Sequence, residues 1–179
     1  MPSTPPPLPP PPSILIKPCA ALAKIRLLSC DVDGVMTDGG LYYSAEGTEL
    51  RRFHVHDGLG LQNLKKAGIE IAILSRSSTP AIVHRAQRLG IPHCFTQVDN
   101  KLACLKQLLL QLNIELKQVA HIGDDLNDLE LLKTVGIPIT VANAVPEVMA
   151  HCQLITQKSG GMGAVREVTD AILASLLLV

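Results

Sequence analysis

From residue 25 onward, short unbroken apolar runs alternate with longer stretches in which apolar residues recur every three or four positions. Unbroken runs mark strands buried on both faces, and the wider spacing marks helices with a single apolar stripe. The pattern predicts strands over 25–30, 69–74, 93–96, 118–122 and 137–141. It predicts helices over 59–67, 80–89, 101–112, 125–134, 146–150 and 164–176. Punctuation agrees: Thr79 stands as a cap before Pro80, and Gly68, Gly90 and Gly136 follow helix ends. Alternating strands and helices predict an α/β chain, a Rossmann-like three-layer α/β/α fold around a parallel sheet.

One stretch departs from this alternation. Residues 39–55 read as a β-hairpin turning at Ala45-Glu46-Gly47, a flap beside whatever lies at the end of the first strand. About 36 residues separate Asp38 from Ser75 and 25 separate Ser75 from Lys101, and the predicted elements use them up. No room is left for a cap domain, so an open site would need cover from a neighbouring subunit.

The first twelve residues contain eight prolines, with no basic residue before Lys17. That composition predicts a disordered polyproline-II tail over 1–20 rather than a signal peptide, followed by one domain over 21–179. The apolar end from Ala171 to Val179 is far shorter than the roughly 20 residues a membrane helix needs, so no membrane partner is expected.

Hydrophobic residues make up 47% of the 179 and aromatics only 2%, so the core must be Leu, Ile, Val and Ala. Sixteen basic against sixteen acidic residues create no field for nucleic acid, which points to a small metabolite as partner. Five cysteines, odd in number and without Cys-x-x-Cys spacing, read as buried thiols of a reducing, cytoplasmic compartment. Cys30 adjoins Asp31 but points to the opposite face of its strand, which argues against a catalytic thiol.

The chemistry concentrates at four stations. Asp31-Val32-Asp33-Gly34 follows the first apolar run, which brings two carboxylates to the carboxyl edge of a sheet, where open α/β folds place their ligands. Ser75 ends the second run, Lys101 opens a helix, and Gly123-Asp124-Asp125-Leu126-Asn127-Asp128 follows the fourth. Taken singly, the acids are turn or cap residues, Ser75 a turn-former and Lys101 a solvated charge. Taken in order, they resemble the motifs of the haloacid dehalogenase-like phosphohydrolases over residues 25–176.

Within that superfamily, the flap segment Phe53-His54-Val55-His56-Asp57-Gly58-Leu59-Gly60 and the tail Gly160-Gly161-Met162-Gly163-Ala164-Val165-Arg166-Glu167-Val168 resemble the capless 3-deoxy-D-manno-octulosonate 8-phosphate phosphatases. The resemblance implies that Asp31 is the nucleophile, carrying an aspartyl-phosphate, and that Asp33 is the general acid and base. It implies Mg²⁺ held by Asp31, the Asp33 carbonyl and Asp124, with Asp128 orienting its shell; Asp125 either joins that shell or caps a helix. Ser75 and Lys101 would meet the transferring phosphoryl oxygens. Arg76, His56, Asp57, Gly58 and Arg166 would bind a sugar-acid phosphate. The resemblance further implies a homotetramer, with flaps and tails completing adjacent sites, in the route to lipopolysaccharide.

His54 and His56 are expected on the outgoing strand of the flap, and His121 as a satisfied core or edge histidine; His84, His93 and His151 belong to no constellation. Three positions depart from the family pattern: Ser75-Arg76-Ser77 in place of Thr-Gly-Arg, His56 in place of an arginine, and Met162 in place of another. Guanidinium groups suit a sugar acid's carboxylate, so a phosphatase for another keto-sugar acid phosphate, of sialic-acid type, stands as an alternative. A non-catalytic oligomerisation module is the other alternative; against it stands the cost of burying a charged constellation that has no use.

Overall fold

A computed structural model describes residues 16–178 of the chain; most of the proline-rich tail, residues 1–15, lies outside the described residues. Six parallel strands form one sheet in the order β5-β4-β1-β6-β7-β8. They are β1 Leu27–Cys30, β4 Glu70–Leu74, β5 His93–Phe95, β6 Val119–Gly123, β7 Ile137–Thr140 and β8 Leu154–Ile155. β8 escaped the pattern because two residues leave no period to read. The flap is an antiparallel pair, β2 Tyr42–Tyr43 and β3 Glu49–Leu50, turning through Ala45-Glu46-Gly47 as expected.

Helices cover both faces: α1 Val55–Lys66, α2 Pro80–Leu89, α3 Lys101–Leu112, α4 Leu129–Leu132, α5 Pro146–Met149 and α6 Ala164–Leu176. Alternation along each buried strand sorts the core into two. Leu28, Cys30, Ile71, Ile73 and Ile122 pack with residues of α1, α2 and α6, and Leu27, Ala72, Leu74 and Val119 pack with α3. Cys30 therefore sits in the face opposite Asp31, and burial pushes its thiol far up.

Several boundaries differ from expectation. α1 begins at Val55, so His56, Asp57 and Gly58 lie on its first turn, not on a flap strand; His54 caps it, its Nδ1 accepting from the His56 N–H. The helix expected over 125–134 opens as a 3-10 turn, Leu126–Asp128, before the four residues of α4. Thr79 precedes α2 without capping it, and its hydroxyl is buried without a partner among the described residues. Ile16 and Cys19 pack against the core and the Cys19 N–H bonds the Ser175 hydroxyl, so the packed chain starts before residue 21. No helix among the described residues is long and apolar enough to cross a membrane.

α1 and α6 approach closely, and Gly60 permits it. A methyl group there would lie 2.2 Å from Thr169 Oγ1 and 3.3 Å from the Arg166 Cα. The two helices are also latched by Asp57, whose buried Oδ1 accepts from the Arg166 N–H at 2.8 Å and so caps α6 from outside. Gly60→Ala is expected to lower unfolding free energy by about 1–2 kcal/mol in denaturant titration, because overpacking outweighs the roughly 1 kcal/mol gained in helix propensity; a stabilised variant would contradict this packing.

Candidate active site

Parallel register delivers the acids to one edge. Cys30 pairs with Ile73 on one side and Ile122 on the other, so Asp31, Ser75 and Asp124 emerge side by side where β1, β4 and β6 end. From β1 the chain runs outward to β4 and β5 and then crosses back, through α3, to β6 on the other side of β1, which makes this edge the topological switch point. Asp31 stays tied to the sheet through its N–H to the Ile122 carbonyl.

The loop after β1 is knit to itself and to the end of the chain. The Met36 and Thr37 N–H groups both donate to the Val32 carbonyl, and the Thr37 hydroxyl accepts from Gly34 and Gly39. Asn143 donates from Nδ2 to the Gly34 carbonyl while its Oδ1 accepts from Gly160, and the Gly161 N–H donates to the Val35 carbonyl. Gly34 takes a φ of +86° and lies so close to Asp124 that a Cβ would fall 2.0 Å from its Oδ2. A side chain at position 34 would fill the space the Asp124 carboxylate occupies.

Lys101, at the first turn of α3, is 2% exposed. Its Nζ lies 2.9 Å from Asp31 Oδ1 and 2.7 Å from Asp128 Oδ1. Below them His121 Nε2 lies 2.9 Å from the same Asp128 oxygen. Burial opposes charge throughout this group. For Lys101 the two carboxylates overcome burial and hold its ammonium above the ordinary range. Asp31 is held well above the usual carboxylate range, by burial first and then by the charge of Asp128. Asp128, also penalised by burial, is nevertheless held below that range by His121 and Lys101. Asp124 is pushed up to about 7, by burial and then by Asp128 and Asp125.

Asp31, Asp124 and Asp128 each offer an oxygen within 4.8 Å of the others. Asp124 Oδ1 and Asp128 Oδ2 are buried without a hydrogen-bond partner among the described residues. Two buried carboxylates and a half-buried one, with an orphaned oxygen on each of Asp124 and Asp128, fit a hard divalent cation, which would supply the charge they lack. Asp125 caps the 3-10 turn, accepting from the Leu126 N–H, and is exposed.

An open cleft of about 160 Å³ lies above, lined by Asp31, Asp33, Asp124 and Asp125 with Ser75, Arg76, Ser77 and Asn127. Ser75 is buried and its Oγ accepts from the Ser77 N–H. Asp33 is gripped from the flap: Arg51 Nε lies 2.7 Å from its Oδ1, while Arg51 Nη2 lies 2.9 Å from Glu49. Arg51 is one of two adjacent arginines on the flap, and its contact with Asp33 depends on how the hairpin folds back. Asn143 carried no signal, since its role is to bond two loops.

Of the residues expected to bind substrate, the structure brings Arg76 to the cleft, mostly exposed and 4.0 Å from Asp99. The others lie elsewhere on the chain. His56 is exposed on α1, Asp57 caps α6, and the Arg166 side chain pairs with Asp170. Gly58 makes room for Arg85, whose Nη2 would lie 2.5 Å from a Cβ there and donates to the His54 carbonyl.

Comparison with known proteins places this geometry. A family described as haloacid dehalogenase-like hydrolase matches residues 93–168. The 3-deoxy-D-manno-octulosonate 8-phosphate phosphatase of Yersinia pestis is 43% identical over 151 residues, 84% of this chain and 81% of that protein. Its counterpart in Escherichia coli (strain K12) is 40% identical over 154 residues, 86% of this chain and 82% of that one. The crystal structure of the Moraxella catarrhalis phosphatase, in complex with a magnesium ion, a phosphate ion and 3-deoxy-D-manno-octulosonate, superposes with a TM-score of 0.84 at 44% identity, covering 87% of this chain and 89% of that one. With such identity over most of both chains, and with a capless α/β sheet carrying its acids at the switch point, the protein belongs to the haloacid dehalogenase-like hydrolases, in the family of phosphoric monoester hydrolases formed by the 3-deoxy-D-manno-octulosonate 8-phosphate phosphatases.

Proposed function

We propose that this protein is a Mg²⁺-dependent phosphomonoesterase that hydrolyses 3-deoxy-D-manno-octulosonate 8-phosphate to the free sugar acid and phosphate, in the cytoplasm and on the route to lipopolysaccharide. The observation that carries this reading is the buried Lys101 ammonium between Asp31 and Asp128, beside two carboxylate oxygens without partners. In this reading Asp31, the Asp33 carbonyl and Asp124 hold Mg²⁺ and Asp128 orients its shell. Bound there, the cation neutralises carboxylate and phosphoryl charge.

Asp31 attacks the phosphorus, and the phosphoryl group moves from the sugar oxygen to its carboxylate. Lys101 keeps one Asp31 oxygen fixed, leaving the other to attack. Asp33 gives its proton to the departing sugar oxygen and later takes one from the water that cleaves the acyl phosphate. Arg51 holds Oδ1 of Asp33, and Oδ2 makes no hydrogen bond among the described residues, which leaves it for that transfer. Ser75 and Lys101 bind the phosphoryl oxygens. Arg76 at the mouth of the cleft suits the sugar acid's carboxylate, and the exposed His56 is free to reach a neighbouring subunit's site. The apolar flap supports a homotetramer, since Leu41, Tyr42, Tyr43 and Leu50 are all exposed.

Asp31→Asn is expected to lower phosphate release from 3-deoxy-D-manno-octulosonate 8-phosphate by at least about 1,000-fold while leaving the melting temperature within a few degrees. Release by the wild type from a different keto-sugar acid phosphate only would keep the chemistry and reject the substrate; release unaffected by the substitution would reject Asp31. Light scattering should return four times the 19.2 kDa protomer mass, and a stable monomer would refute the shared site.

Metal binding should depend on pH with a defined sign. Between the ordinary carboxylate range and about 7, the folded protein keeps a proton on Asp124 that the unfolded chain has lost, so the metal-free protein loses stability as pH rises through that window. A cation at those oxygens displaces the proton, so it binds more tightly toward the upper end. The rise in melting temperature on adding Mg²⁺ is therefore expected to be larger at about pH 8 than at about pH 5.5, and equal shifts would contradict Asp124 as a ligand.

A further inference from the structure

His121 is fully buried in the middle of the sheet, on β6, in register with Ser29 of β1. Both side chains face the α3 side, two residues below Asp31. Ser29 Oγ lies 2.9 Å from His121 Nδ1, and His121 Nε2 lies 2.9 Å from Asp128 Oδ1. An apolar side chain would fit the surrounding strand better than a buried imidazole does, so the ring needs a reason to be there.

The two contacts fix what the ring does. Asp128 is held in its ionised form by Lys101 and can only accept, so the 2.9 Å contact requires a proton on Nε2. Ser29 can donate to Nδ1, completing a chain from Ser29 through His121 to Asp128. Asp128 Oδ1 thereby receives two donors, the imidazole N–H and the Lys101 ammonium at 2.7 Å. Oδ2 receives none among the described residues, and Asp128 belongs to the three-acid cluster. Lys101 alone would leave the carboxylate free to turn about its Cβ–Cγ bond, because the ammonium can follow either oxygen. A second donor from the fixed ring of His121 to the same oxygen removes that freedom.

We propose that His121, donating from Nε2 and backed by Ser29, is a positioning residue for the cation site: it locks Asp128 Oδ1 and so reserves Oδ2 for the metal and its water shell. The inference rests on the reading of Asp128 as part of the metal site. It assigns the divalent-cation affinity of this chain partly to a residue that touches neither metal nor substrate.

Two measurements test it. In the metal-free protein labelled with ¹⁵N histidine, the His121 ring is expected to show a protonated Nε2; a bare Nε2 would overturn the proposal without any variant. Mg²⁺ is then titrated against wild type, His121→Phe and His121→Gln, reading the melting temperature at each concentration. Phenylalanine fills the space without a donor and is expected to weaken apparent Mg²⁺ affinity by about 10- to 100-fold, while glutamine, whose amide N–H falls near the Nε2 position, restores it. Wild-type affinity in His121→Phe overturns the positioning role and leaves the metal site standing. A wild type that does not respond to Mg²⁺ overturns the metal reading and this inference together. Should His121→Phe fail to fold, the histidine spectrum and the glutamine variant decide.

Discussion

The site depends on one ammonium group. Lys101 has almost no exposed surface and lies between Asp31 and Asp128, and without it the two buried carboxylates would lie close together with no positive charge between them. Removing one partner from such a group leaves an uncompensated charge, typically at a cost of about 3–5 kcal/mol. Topology makes the arrangement feasible. Because β1 lies at the centre of the sheet, α3 passes beside its carboxyl end, and the helix's first turn sets a lysine beside an acid seventy positions away in the chain.

The backbone around this group is as constrained as the side chains. The loop after β1 has little freedom, being bonded to itself through Val32 and Thr37 and to distant loops through Asn143 and Gly161. A Cβ at Gly160 would meet the Gly34 carbonyl oxygen and one at Gly161 the Asp38 N, so close approach of two backbones explains the glycine pair in the tail. This separates the molecule into a rigid part that holds the acids and a peripheral part, the flap and Arg76, where exposed side chains border the cleft.

Much of this was legible in the sequence, for identifiable reasons. The central strands are unbroken apolar runs, the acids directly follow two of them, and period and punctuation agree for α2 and α3. What was not legible depends on contacts between distant segments. The start of α1 falls earlier than the expected residue 59 because Val55 read as the end of the flap, whereas in the structure a histidine caps the helix and Asp57 is drawn beneath α6. Asp57 likewise read as a substrate residue, and only the position of α6 shows that one of its oxygens is taken by a backbone N–H. His121 read correctly as a satisfied core histidine, but its partner Asp128, though only seven residues on, is reached through a turn that no periodicity describes.

The bond from Asp57 to the Arg166 N–H and the glycine pair packed on Gly34 both join the first third of the chain to its last segment. During synthesis, every acid and the lysine emerge before the residues that seat the loop bearing Asp31 and Asp33. A nascent chain halted before residue 154 would hold the acids and the lysine of the cleft yet lack the strand, the loop and the helix that hold the acid loop and the root of the flap in place. The acid loop is therefore seated late, once the segment from β8 to α6 has formed.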